Sequence, residues 1–491
     1  MLKLKLMQNN LTKNNHLVWV RSCLGIMDNQ ALYHAAQAAH TSKTRVYVVF
    51  FVTITQWQQH SWGDNKIGYI LRAVQQLSKE LSEINIELLL VDCEYYNKIP
   101  EKLSNMITKY NVKEVHYDCE YEVNEINRDA KIKEMLLAQK IKFNGYHSQT
   151  IIPVSAIRTQ QDKIYSVFTP FKRTYIEQIS KQGISVCTKP DNFTENSKGK
   201  LADFSSYSKF MHSDIQKSWP VKYSSLQKQL NNFIKHKACE YDVARDFPSL
   251  QATSQLSPAL ACGLISPREC ANVAMLANDY SLSDGNKSIS IWISELIWRD
   301  FYKYILIHNP KISKNENYNS QYDKITWSQN RQNLQAWQQA QTGIPIIDAA
   351  IKQLIHTGWM HNRLRMIVAM FLTKNLLIDW RHGEAFFAKH LIDLDFSSNN
   401  GGWQWSASTG TDAAPYFRIF NPAVQSEKFD KDAAFIKKYL PELANLTAQQ
   451  IHKMGSKPGL CPVDNYPQAI VDLKQSRLQA IAVFKDALAK Q

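Results

Sequence analysis

An α/β domain built on a parallel sheet, followed by an all-α domain, is the fold class this sequence predicts, on three observations. Apolar strand-like runs alternate with helical stretches over residues 17–150. Strand signals vanish after residue 221, and 3.6-residue periodicity takes over to the end. The 491 residues also exceed what one hydrophobic core usually serves, which favours two domains.

The elements follow in order. HLVWV opens a strand and NQALYHAAQAA a helix. RVYVVFFVT is a continuously apolar, β-branched strand, and GYILRAVQQLSKELSEI has helical spacing. IELLLVD, EKLSNMITKY and VKEVHYD continue the alternation as strand, helix and strand. Apolar strands separated by helices belong to parallel sheets covered on both faces. No GxGxxG follows the first strand, so the usual dinucleotide fingerprint is missing. From 151 to 220 the pattern loosens into an interdomain connector, ordered in places around FTPF, before the helical domain of 221–491. No internal repeat or low-complexity tail is seen.

The hydrophobic fraction of 44% is that of a globular protein, but twelve tryptophans and twenty-two tyrosines imply large packed cores or stacking surfaces. A net charge of +14 points to a polyanionic partner such as nucleic acid, or to a generally basic proteome. Eight cysteines without a CxxC, the closest being Cys262 and Cys270, disfavour a zinc knuckle and fit buried thiols in a reducing compartment. The start, MLKLKLMQNNLTKNNH, has no secretory h-region, and the apolar run IVAMFLTKNLLI is broken by Lys374. A soluble, cytoplasmic protein with no membrane association is expected.

Several stretches carry chemistry. In TSQLSPALACGLISPREC, Ser257 before Pro258 reads as an N-cap, Gly263 as a helix stop, and Ser266 to Glu269 as a capping box. Such hydroxyl-lined helix starts either take a phosphate or simply begin helices. In IWISELIWRDFYKYILI, Glu295, Trp298, Arg299 and Tyr302 recur at i, i+3, i+4 and i+7. The pattern fits a surface ion pair or a binding face, and apolar Ile293, Leu296 and Ile297 disfavour a solvated helix. Asn362, Arg365 and Met366 share a face in GWMHNRLRM, while His361 has no partner at metal spacing. No metal site is expected. Asp393 and Asp395 could be a hydrolytic pair or hold ribose or ring-amide groups. Trp403 and Trp405 stand two apart in NNGGWQWSASTGTDAAPYFRIFNP, with no nucleophile–base pair in view.

These stretches, with VWVRSCLGIMDNQAL, YEVNE, RDFPSLQATSQLSPAL and TGIPIIDAAIKQLIHTGWMHNRLRM, resemble the photolyase/cryptochrome family over about residues 17 to 480, and within it the bacterial class I cyclobutane pyrimidine dimer photolyases. The resemblance implies a Rossmann-like α/β antenna domain and an all-α FAD-binding domain. It implies light-driven, redox-neutral repair of UV-damaged DNA: excited, fully reduced FAD lends an electron to the flipped-out dimer, the ring splits, and the electron returns. By resemblance, Tyr241, Thr253, Ser254, Gln255, Leu256, Ser257, Arg299, Asn362, Arg365, Asp393, Leu394, Asp395 and Asn399 hold FAD, with Asn399 facing its reactive ring nitrogen. Trp403, Trp380 and Trp327 match the family's electron-transfer chain from flavin to surface. Trp298 and Trp405 match residues that stack on the dimer; Glu295 and Asn362 match those that hydrogen-bond it. Met366 and Arg363 line the pocket and its mouth, and Arg245 meets DNA phosphate. Glu295, Asn362 and Asn399 are thus the catalytic candidates, and Glu295 is expected to be protonated when substrate is bound.

Asn124, Glu125 and Lys314 match antenna contacts for 5,10-methenyltetrahydrofolate, although Cys23, Gly25 and Met27 replace the family's usual Asp, Arg and His in the first loop. Gln255 also stands where arginine is frequent. A monomer is implied. The rival of another class is a cryptochrome-like photosensor, against which the complete dimer pocket and the chain ending soon after YPQAIVDLKQSR both speak. Repair of (6-4) photoproducts calls for a histidine pair where this chain has His361 and Asn362. A DNA-binding module without cofactor would be colourless.

Overall fold

The computed structural model describes residues 14–193 and 199–489, so the first thirteen residues, 194–198 of the polar connector and 490–491 lie outside the description. Five strands form one parallel sheet in the order β3-β2-β1-β4-β5. They are β1 Asn15–Trp19, β2 Val46–Val52, β3 Glu87–Asp92, β4 Val112–Asp118 and β5 Lys142–Tyr146. Helices α1 Gln30–Ser42, α2 Asp64–Ser82, α3 Ile99–Tyr110 and α4 Val123–Ala138 make the crossovers. The apolar pattern marks four of these strands and three of the helices. It does not mark α4 or β5, because KFNGY is an edge strand with exposed Lys142 and Gly145 and no apolar run.

Strand order reverses at β1, which has β2 on one side and β4 on the other. In such sheets the carboxyl ends of the strands at the reversal make the ligand crevice. The two-residue period sorts the faces. Leu17 and Trp19 join Val49, Val115, Leu103, Ile107, Ile132 and Leu136 in one core. His16 and Val18 face the other way, where α1 packs over β1, β4 and β5. Helix α1 begins because the Asn29 side chain accepts the Leu32 N–H at 3.0 Å, and ends with Lys43 in the left-handed region.

The chain divides into two compact units. One holds the sheet with Ile176–Ile234 and Gln255–Leu282; the other holds Ile157–Tyr175, Lys235–Ser254 and everything from Ser283 onward. The stretch 151–220 contains a full helix, α5 Phe168–Gln182. Two local expectations change. Helix Ser257–Ala261 has Ser257 as its first helical residue and Leu256 at the N-cap, so Ser257 does not cap it. At α6, Pro267–Leu276, the Ser266 hydroxyl accepts the Glu269 N–H at 2.9 Å, but the Glu269 carboxylate accepts from the Tyr223 hydroxyl and is not seen to return the capping bond. The second carboxylate oxygen, Oε2, is buried without a donor, so the side chain is turned away from the helix start.

The second unit is helical in its described residues. Its main helices are α7 Lys287–His308, α8 Pro345–Thr357, α9 Asn362–Met370, α10 Trp380–His390, α11 Phe396–Ala407 and α12 Leu473–Ala489. Helix α7 is apolar around most of its girth, and α11 approaches it closely. A Cβ at Gly401 would lie 2.2 Å from the Tyr302 ring, so only glycine allows that spacing. Helix α9 does not run on; it passes into one π turn, Phe371–Asn375, of the kind often found beside functional sites. There Lys374, which interrupts the apolar run, is fully buried, donates to Ser408 Oγ at 2.8 Å and lies 3.4 Å from the Phe484 ring centre. No described helix is long and apolar enough to cross a membrane. All eight cysteines are free thiols; Cys23, Cys93, Cys262 and Cys270 are buried and Cys239 is exposed.

Candidate active site

On α7 the pattern seen in the sequence becomes a surface. Glu295, Trp298, Arg299 and Tyr302 are each partly exposed, whereas Ile293, Leu296, Ile297, Asp300 and Phe301 between them are buried. A half-exposed polar stripe on an otherwise enclosed helix is a surface left for a ligand. Trp298 is held in it by stacking on Phe168, with ring centres 3.7 Å apart and planes at 10°. Glu295 is paired with Arg245, whose guanidinium also lies over the Tyr241 ring. Burial pushes the Glu295 carboxyl up, the Arg245 cation opposes it, and burial prevails. Its side chain is nonetheless 37% accessible.

Helices α9 and α11 supply matching stripes. Asn362 is exposed, and Arg363, Arg365 and Met366 are partly so, above buried Leu364, Ile367 and Val368. His361 starts α9 by accepting the Arg363 N–H at 3.2 Å. Arg363 itself pairs with Asp246 at 2.7 Å over the Phe429 ring. Arg365 donates to Asp393 Oδ2 at 2.7 Å and to the Met360 carbonyl at 2.8 Å. The other oxygen, Asp393 Oδ1, is buried with no donor. Asp395 caps α11 by accepting the Ser398 N–H at 2.9 Å, and takes the Lys303 ammonium at 2.7 Å. Burial alone would raise its carboxyl, but Lys303 and Arg299 outweigh that and hold it well below the usual carboxylate range. The two acids are therefore pinned by cations rather than poised as acid and base, and Leu394 between them is buried. Hydrolysis is disfavoured.

Asn399 donates from Nδ2 to the Glu384 carbonyl at 3.1 Å, and Asn400 from Nδ2 to Glu384 Oε1 at 2.9 Å. Sequence reasoning missed Glu384, Asn400 and Lys303 as supports, since each acts across helices with no local motif. Burial raises the Glu384 carboxyl to about 7, against the Asn400 bond. An unfolded chain releases that proton near 4.5, so the stabilising contribution is present below that pH and is lost as pH rises through about 7. Glu384→Gln keeps the acceptor and removes the charge. Its melting temperature should match the parent most closely below about pH 4 and exceed it at pH 8, with a gain on the order of 3 kcal/mol at most. Equal shifts across pH 5 to 9 would contradict this.

Trp403 and Trp405 part company as helical geometry requires, because residues two apart on a helix point some 200° from each other. Trp403 is 2% exposed and meets Phe387 and Trp337 edge-on at 4.9 and 6.1 Å; Trp405 lies on the partly exposed side. Trp380 is fully buried and donates Nε1–H to Asn317 Oδ1 at 3.0 Å, and Trp327 is partly exposed against Phe484. Buried Trp337 is a further indole that the sequence did not single out. Gly383 makes room for the Trp403 ring: a Cβ there would come within 2.1 Å of it. Gly383→Ala should cost about 1–3 kcal/mol by overpacking, against only about 1 kcal/mol gained in helix propensity. Thermal unfolding would show the loss, and an unchanged or higher melting temperature would contradict it.

The remaining candidates fall elsewhere. Tyr241 is buried in the helical unit, with Thr253 and Ser254 partly exposed there. Gln255, Leu256 and Ser257 belong to the sheet unit; exposed Gln255 has φ +52, a left-handed conformation uncommon for glutamine, and its carbonyl accepts from Gln229 at 3.2 Å. Asn124 is exposed at the start of α4 and reaches His60 Nε2 at 3.3 Å. Glu125 beside it is buried, with its carboxyl raised to about 8 by burial and by Glu122 and Glu120. Lys314 is an exposed residue of the helical unit.

The residues fit a flavin dinucleotide. Asp393 Oδ1 is an acceptor without a donor, and Arg299, Arg365 and Asn399 stand on the same half-open stripes. Residues 292–486 match the family described as the FAD binding domain of DNA photolyase, and residues 16–190 the family described as DNA photolyase. The deoxyribodipyrimidine photo-lyase of Escherichia coli strain K12 is 38% identical over 475 residues, covering 96% of this chain and 98% of that protein. A bacterial class III photolyase from Agrobacterium tumefaciens superposes with a TM-score of 0.85 at 30% identity, over 98% of each chain. A cryptochrome of Synechocystis sp. PCC6803 shares the fold, with a TM-score of 0.79 at 24% identity over 96% of this chain and 99% of its own. The chain belongs to the DNA photolyase family.

Proposed function

We propose that this protein is a deoxyribodipyrimidine photo-lyase that uses light to split cyclobutane pyrimidine dimers in UV-damaged DNA. The observation that carries this is the α7 face, where Glu295, Trp298 and Arg299 form one half-exposed wall on a helix otherwise buried. Arg299, Arg365, Asp393, Asp395 and Asn399 would hold FAD, with Tyr241, Asn362, Leu394 and the stretch Thr253–Ser257 completing its contacts. Fully reduced and excited by light, FAD supplies an electron donor of sufficient driving force. The protein's own residues bind and orient. Trp298 and Trp405 offer flat apolar surfaces for a dimer taken out of the DNA stack, as lesion-repairing enzymes of this kind require. Protonated Glu295 and the Asn362 amide donate hydrogen bonds to the pyrimidine edges, so charge developing on the dimer is met by donors already in place. Arg363 and Met366 line the mouth, and Arg245 exchanges Glu295 for a DNA phosphate when substrate arrives. The excess positive charge serves the same contact. Trp403, Trp380 and Trp327 carry electrons inward to restore the reduced cofactor. Asn124, Glu125 and Lys314 serve a folate antenna, and the protein works as a cytoplasmic monomer.

The test is repair of an oligonucleotide bearing one thymine cyclobutane dimer by the reduced protein, under blue or near-ultraviolet light and in darkness. Restoration of thymines only in light is expected. Absence of repair despite bound reduced FAD and dimer binding would point to a sensory protein; absence of dimer binding would remove the substrate assignment.

A further inference from the structure

The sheet carries a cluster that light-driven repair leaves without a use. His16 is the second residue of β1, and Glu114 and His116 lie on neighbouring β4, in register with His16 and Val18. Residues two apart on a strand point to one face, so all three side chains meet beneath α1. His16 Nδ1 stands 3.2 Å from His116 Nε2, and His116 Nε2 stands 3.8 Å from Glu114 Oε2. The three ligand atoms all lie within 4.8 Å of one another. We propose that His16, Glu114 and His116 form a binding site for a divalent transition-metal ion of the zinc type, bridging β1 and β4.

Distances and donor types both favour this. A tetrahedral ion with ligands at 2.0–2.1 Å spaces them by about 3.3 Å, so the imidazole pair already has the required separation. Glu114, with 23% of its side chain accessible, has only to close in, and its exposure gives the ion a way in and a solvent-filled fourth position. Two imidazoles and one carboxylate suit zinc and its neighbours rather than calcium or magnesium, which take oxygen. His116 has the outer partner that such ligands need: its Nδ1 lies 3.0 Å from the Tyr146 hydroxyl. An Nδ1–H donated there leaves the Nε2 lone pair for the ion. Tyr146 is itself stacked on His34, with ring centres 4.9 Å apart. Both histidines are almost fully enclosed, so their rings are held in place by packing.

The groups around Glu114 shape the carboxylate without closing the site. Lys142 holds the other oxygen, Oε1, at 2.7 Å and is 72% exposed, so it can swing away. Asn144 donates to Oε2 at 3.2 Å, and this is the bond an ion would replace. The ligands come from β1 and β4 on the face that α1 covers, so the ion would tie these two strands together. The sequence hides it, because His16 is 98 residues from Glu114 and only the Glu–x–His pair is local.

The experiment uses the full-length, untagged, FAD-loaded protein, stripped with chelator and titrated with zinc alone against a chromophoric competitor. One equivalent of zinc bound at submicromolar concentration is expected, with a raised melting temperature and unchanged repair. His116→Gln should abolish that equivalent, and Tyr146→Phe should weaken it on the order of tenfold. Glu114→Gln removes a ligand at the accessible edge and should also lose it; it decides the matter if His116→Gln fails to fold. No submicromolar zinc in the parent protein, or the same stoichiometry and affinity in Glu114→Gln and His116→Gln, would overturn the proposal in favour of a plain histidine–histidine hydrogen bond.

Discussion

Trp403→Phe should reduce light-driven reduction of oxidised flavin to background, while protein reduced chemically beforehand repairs dimers at the parent rate. A phenyl ring is far harder to oxidise than an indole, so the change breaks the proposed electron route while leaving Glu295, Trp298 and Trp405 in place. The enclosed position of Trp403, 2% exposed between Phe387, Trp337 and Gly383, keeps the smaller ring in place. The lost contacts should cost about 2 kcal/mol of stability. Flavin photoreduction followed by absorbance, beside repair of the dimer oligonucleotide, separates the two roles. If both rates fell together, Trp403 would belong to the binding or folding of the cofactor site and not to electron supply.

Glu295 should have the largest effect on repair itself. Glu295→Ala removes the proposed hydrogen bond to developing charge, worth about 1.5–3 kcal/mol, so repair should fall by roughly ten- to a hundredfold. The pH profile carries more information. Burial holds the Glu295 proton on to higher pH than an ordinary glutamic acid, even against Arg245. Donation needs that proton, so parental repair should decline as pH rises through the raised value, and the donor should be regained on acidification. Glu295→Gln donates at every pH, and its profile should be flat where the parent declines. Full yield in Glu295→Gln with the parent's pH profile unchanged would make ionisation of this side chain irrelevant.

Much of the architecture was legible because it rests on local periodicity. Continuous apolar strands and amphipathic helices announced the sheet, and the loss of strand signal after residue 221 announced the helical body. The α7 face was legible for the same reason: Glu295, Trp298, Arg299 and Tyr302 fall on one side of any helix drawn through them. Helix α4 and strand β5 were not, since an edge strand such as KFNGY need bury little. The caps at Ser257 and Glu269 were misjudged because a capping motif competes with other donors and backbone choices that only neighbours decide.

By itself the sequence determined the two-part fold class, the order of most elements and, through its resemblance, the family, because apolar periodicity and long motifs are set along single segments. Only the tertiary structure decided which of the candidate side chains are paired and which are held ready. Lys303 fixes Asp395, Glu384 orients Asn399, Phe168 backs Trp298, and Gly383 and Gly401 let helices and rings close to distances a Cβ would forbid. Each of these contacts joins residues from different segments, and the electrostatics of a buried group depend on what surrounds it in space rather than on what precedes it in the chain. The His16, Glu114 and His116 cluster follows the same rule: neighbouring parallel strands bring together residues that the chain keeps far apart.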